Sequence, residues 1–88
     1  MMKVKEDFLL REVAGCYVVV PVGKATVDFN GMLNLNDTGA FLWELLQQET
    51  TKEELLNSML DTYEVSEELA SKDIDNFIKK LEDAGILE

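Results

Sequence analysis

NLNDTGAFLWELL, Asn34 to Leu46, changes its period part-way through. Leu33 and Leu35 alternate with Met32 and Asn34, as on a strand with one covered face. From Asn36 the apolar residues Phe41, Leu42, Leu45 and Leu46 fall at i, i+1, i+4 and i+5, a single helical stripe. Asn36 or Asp37 supplies the cap, since either side chain can accept a hydrogen bond from a free N–H one turn in. The junction therefore predicts a strand that stops abruptly and a helix that starts at once, with Trp43 in its core.

Before the junction the sequence reads as strands. FLLREV, Phe8–Val13, is followed by a turn at Ala14-Gly15. CYVVVPV, Cys16–Val22, is a continuous valine-rich run, the pattern of a strand buried on both faces. Pro21 cannot donate to a ladder and belongs at an edge or near the strand end. TVDF, Thr26–Phe29, alternates, and Asn30-Gly31 is a strong hairpin signal because both residues tolerate positive φ. A bulge within one longer strand is the alternative there.

After the junction the sequence reads as helices. Thr51 followed by Glu54 forms a capping box, each side chain satisfying the other residue's backbone N–H. Leu55, Leu56, Met59 and Leu60 repeat the apolar stripe on this second helix. Ser66 caps a third, with Glu67 and Glu68 at the positive end of its dipole. Leu69, Ala70, Ile74, Phe77, Ile78 and Leu81 make its apolar side. Gly85 closes it in the left-handed conformation, with Ile86 folding back on Leu81. The expected class is α+β and winged helix-turn-helix-like: an N-terminal antiparallel meander of three to four strands, then three helices.

Size and charge narrow the function. Eighty-eight residues suit a single domain over 1–88, and 47% hydrophobic residues suffice for a small core. The longest apolar run falls far short of the roughly 20 residues that span a bilayer. Nothing at the N-terminus resembles a signal peptide, and one cysteine suggests a reducing compartment, so a cytoplasmic protein is expected. The net charge of -10 is uneven: residues 1–48 carry four basic and six acidic side chains, residues 49–88 four and twelve. The third helix would present three positive charges against six negative ones to a DNA groove, so nucleic acid is not the expected partner.

The arrangements of the common active sites are missing. There is no histidine, no glycine-rich phosphate loop and no calcium loop. Cys16, set in an apolar strand, is expected to be a buried, inert thiol. The acidic pairs are explained as solvated faces and helix starts. No catalytic residue, metal site or cofactor is assigned, and the chain is not expected to be an enzyme by itself.

LNLNDTGAFLWELL, the threonine-started second helix and the closing DIDNFIKKLEDAGIL together resemble the PqqD family of peptide-recognition domains. The corresponding positions are Leu35-Asn36-Asp37-Thr38 with Leu42, Trp43, Leu45 and Leu46, then Thr51–Leu55, then Asp73–Leu87; the likeness spans roughly residues 8–88. KATVDFN, between the valine strand and MLNL, departs from the family pattern as an insertion.

The resemblance implies a peptide chaperone for ribosomal peptide (RiPP) biosynthesis. Such a domain binds the leader of a precursor peptide and presents the precursor to a separate modifying enzyme, such as a radical S-adenosylmethionine enzyme. In the family the leader adds as a strand to the sheet edge just before the first helix, in a groove against the third. Carried over by position, the peptide-binding residues are Met32, Leu33, Asn34 and Leu35, reached by Val27 and Phe29. The helix wall is Ile74, Phe77, Ile78 and Leu81, with Asn76, Lys79 and Lys80 at the rim. An amphipathic stripe mainly buries itself, so core duty competes with peptide contact at the wall positions. An acidic helical half favours basic or neutral leader residues against it. The competing readings are an acidic winged-helix regulator or structural adaptor, and a detached piece of an enzyme. An edge-paired or swapped dimer is a further expectation from an open edge.

Overall fold

The computed structural model describes residues 1–23 and 33–88. Three strands, β1 (Phe8–Val13), β2 (Cys16–Pro21) and β3 (Leu33–Leu35), form an antiparallel sheet in the order β1-β2-β3. Three helices follow: α1 (Asp37–Leu45), α2 (Lys52–Thr62) and α3 (Glu67–Asp83). The α+β class and the order of elements are as the sequence predicts. Winged helix-turn-helix describes the arrangement only loosely, because among the described residues the strands precede the helices. The expected strand at Thr26–Phe29 and the Asn30-Gly31 turn lie outside the described residues.

Local chemistry sets each boundary. Ala14 and Gly15 both have positive φ, 53° and 81°, as a two-residue hairpin between right-twisted strands requires. Asn36 is the cap of α1: its side-chain Oδ1 accepts from the Gly39 N–H at 2.8 Å. Ser66 Oγ accepts from Leu69 N–H at the start of α3. The capping box on α2 is built differently from the expected one. Thr51 Oγ1 accepts from Glu54 N–H, but the Glu54 carboxylate accepts the hydroxyl of the buried Thr50 at 2.8 Å. At the end of α3, Gly85 (φ 72°) lets Ile86 N–H donate to Leu81 carbonyl and Gly85 N–H to Glu82 carbonyl. These two bonds define a Schellman cap and bury Ile86 fully.

The core lies between one face of the sheet and the three helices. Val4, Phe8, Val19, Leu35, Leu42, Trp43, Leu46, Leu55, Met59, Ala70, Ile74, Phe77, Leu81 and Ile86 are its buried members. The N-terminal residues, for which the sequence reading made no assignment, close it. Met2 exchanges backbone bonds with Thr50, Val4 N–H donates to Leu46 carbonyl, and Lys5 N–H donates to Ile86 carbonyl. Val4 is thereby buried under both the α1–α2 connection and the C-terminus. No helix among the described residues is long and apolar enough to cross a membrane.

Two expectations are corrected. Cys16 is exposed, not buried: it opens β2 beside the hairpin, where the strand extends past its covered middle, Val18 and Val19. Leu69 is 49% exposed, because the buried stripe of α3 is Ala70, Ile74, Phe77 and Leu81 and Leu69 lies about 100° away from Ala70.

Candidate functional site

Backbone alternation decides what the edge of β3 away from β2 offers. Val22 N–H donates to Asp7 carbonyl at 2.8 Å, one step beyond the Phe8–Pro21 pair. In an antiparallel ladder the bonded pairs alternate, so Val20 and Val18 face β1 while Tyr17 and Val19 face β3. Their partners Leu35 and Leu33 turn their N–H and C=O groups inward, towards β2. Asn34, opposite Val18, turns both of its backbone groups outward. The Lys80 ammonium agrees with this phase: it donates to the Asn34 carbonyl at 3.0 Å across from α3.

A cleft of about 540 Å³ adjoins this edge. One wall is β3 and the first turns of α1, through Asn34, Leu35, Asn36, Thr38, Gly39 and Leu42. The other is a flank of α3: Asp73, Asn76, Phe77 and Lys80, at i, i+3, i+4 and i+7. Leu35, Leu42 and Phe77 give it an apolar floor, and the remaining side chains make a polar rim whose charges are Asp73 and Lys80. Gly39 lets the walls approach: a Cβ there would stand 3.2 Å from Leu35 Cβ and 3.4 Å from Phe77 Cε1. A second cleft, of about 410 Å³, shares Asn34, Leu35 and Asn36 and continues to Cys16 and Tyr17.

A sheet edge beside a helix groove is one feature; the family is decided by the sequence. Residues 16–87 match the family model of coenzyme PQQ synthesis protein D (PqqD). The chain belongs to the PqqD family. Two solved structures share its fold. One, TbiB1 in complex with the TbiA(beta) leader peptide, is 19% identical with a TM-score of 0.76, over 98% of this chain and 94% of that one. The other, a lasso peptide synthetase B1 complexed with the leader peptide, is 18% identical with a TM-score of 0.76, over 99% and 96%. No curated protein sequence matches significantly.

The PqqD-like positions expected to meet peptide separate into three groups. Val27, Phe29 and Met32 lie outside the described residues. Asn34, Leu35, Asn76, Phe77 and Lys80 come together around the cleft. Ile74 and Leu81 have no exposed surface and form the core beneath it, while Ile78 and Leu33 are half-buried against that core. Asn36, Thr38, Gly39, Leu42 and Asp73 also line the cleft and were not assigned to peptide contact from the sequence. The first four occupy the cap and first two turns of α1, which must face any groove opening between β3 and α3. Asp73 is marked by its spacing from Asn76 and Lys80.

The chemistry on offer is that of binding. The floor is apolar, the edge supplies one outward N–H, and the rim supplies amides, a hydroxyl and two opposite charges. Among the described residues no three His, Cys, Asp or Glu side chains converge to hold a metal ion. No buried side-chain nitrogen or oxygen among them lacks a hydrogen-bond partner.

Proposed function

We propose that this chain is a non-catalytic recognition element that binds the leader of a ribosomally made precursor peptide and presents it to a separate modifying enzyme. The leader adds as a strand at the outward edge of β3 and lies in the cleft against α3. The observation that carries this reading is the coincidence of an outward-facing backbone pair at Asn34 with an apolar-floored cleft beside it. Main-chain bonds give affinity with little dependence on sequence, and the pockets beside the edge select alternate side chains. Family membership supports it, as do two proteins of the same fold solved with leader peptides. Asn34, Leu35, Asn76, Phe77 and Lys80 meet the peptide, with Ile74 and Leu81 supporting the floor from beneath. Leu33 and Ile78 flank the groove.

The precursor and the enzyme encoded beside this gene provide the test. Calorimetry should give saturable binding for the leader segment and none for the core segment alone. Mass spectrometry should find the precursor unchanged by this chain alone, and modified faster by the enzyme when the chain is added. A leader that binds no better than the core segment would refute the proposal, as would modification by the chain alone.

A further inference from the structure

We infer that Lys80 is a displaceable guard of the β3 edge and that it selects an acidic side chain in the guest peptide. The inference rests on the strand-addition reading above and goes beyond it to the chemistry of the guest.

The Asn34 carbonyl is the acceptor that β3 turns outward, and the Lys80 ammonium, at the end of an exposed side chain, already holds it at 3.0 Å. Open strand edges invite self-pairing, and lysine is a common means of blunting them. An added strand must place its own N–H on the same carbonyl. Guest and ammonium approach from the same side, because β2 occupies the other. Binding therefore frees the ammonium at the rim of the cleft.

Among the described residues that line the cleft, no carboxylate then lies one helical turn from the freed charge. Asp73, the cleft's acidic residue, is seven positions away, about 10 Å along α3. Asp83, one turn on, lies beyond the lining residues. A glutamate or aspartate on the guest strand facing Lys80 replaces the lost carbonyl with a charge-assisted bond. A basic or neutral guest residue suits the Asp73 end. The cleft thus has an electrical polarity that orders the charges of its peptide, even though the helical half as a whole is acidic.

A display library of random twelve-residue peptides, selected on the intact protein, tests this. Parallel selections use wild type, Lys80→Met, which keeps the aliphatic stem, and Asp83→Asn; thermal melts check that each variant folds. Wild type and Asp83→Asn should enrich alternating apolar residues with one Asp or Glu at a fixed place. Lys80→Met should keep the alternation and lose the acid. Acidic peptides from the wild-type pool should bind Lys80→Met about threefold more weakly, the size of an exposed ion pair. Their Asn or Gln copies should bind it at least as well as they bind wild type, since no guard has to be moved. An acid preference that survives Lys80→Met, or no acid preference in wild type, overturns the inference. If no selected peptide perturbs the amide signals of β3, strand addition itself fails, which is a different result.

Discussion

At one edge of the sheet, β3 lies beside a flank of α3, and its outward carbonyl is held by Lys80. At the other, β1 turns the backbone groups of Leu10 and Glu12 outward, and its last residues, Arg11, Glu12 and Val13, stand exposed. The cleft that touches Leu10 is lined by Tyr17, Phe41 and Tyr63, on the covered face of the sheet. Both edges thus turn main-chain groups away from the ladder among the described residues, but the described wall and floor belong to β3. Backbone groups alone offer affinity without selectivity and invite aggregation; the charged Arg11 and Glu12 beside β1 counter that. A neighbouring helix turns the same liability into a receptor.

The largest expected difference between the edges comes from their phenylalanines. Phe8 under β1 and Phe77 under β3 are almost equally buried, at 6% and 7% exposure. Phe8→Ala and Phe77→Ala should each lower unfolding free energy by about 3–5 kcal/mol in chemical denaturation. Only Phe77→Ala should weaken leader binding per folded molecule, because only Phe77 floors the cleft. Equal losses of binding in the two variants would erase the distinction between the edges.

Next in size is removal of an outward N–H. Asn34→Pro leaves the β2–β3 bonds intact, since the Asn34 N–H is not part of that ladder, and a proline is tolerated on an outward edge. It should reduce leader affinity about tenfold, the worth of one lost backbone bond. Glu12→Pro, the matched change on β1, should leave affinity unchanged in the same titration.

The smallest effect sharpens the wall. In Gly39→Ala a helix-propensity gain of about 1 kcal/mol offsets the crowding against Leu35 and Phe77, so the melting temperature should barely move. Leu35 and Phe77, which line the cleft, must give by a few tenths of an ångström, and leader affinity should fall about twofold, a typical half-kcal/mol effect.

Local chemistry made much of this legible beforehand. The caps at Asn36, Thr51 and Ser66, the Ala14-Gly15 turn and the Gly85 stop each depend on residues within a few positions of one another. Long-range placement left no such mark. The bonds of Met2 with Thr50 and of Lys5 with Ile86 join chain ends and loops that share no period. Composition gave the apolar character of β2 but not where its cover ends, hence the exposure of Cys16. Periodicity identified Ile74 and Leu81 as apolar on α3, but two flanks border any such stripe. Only the tertiary fold brings the Asp73, Asn76 and Lys80 flank, and not the other, to the edge of β3.

The most direct test of the account is the hydrogen exchange of the Asn34 amide with and without the leader encoded beside this gene. Strand addition at β3 predicts that this N–H becomes protected at saturating leader, while those of Leu10 and Glu12 exchange as before. An Asn34 amide that exchanges equally fast in both states, or protection that falls on β1 instead, would contradict it.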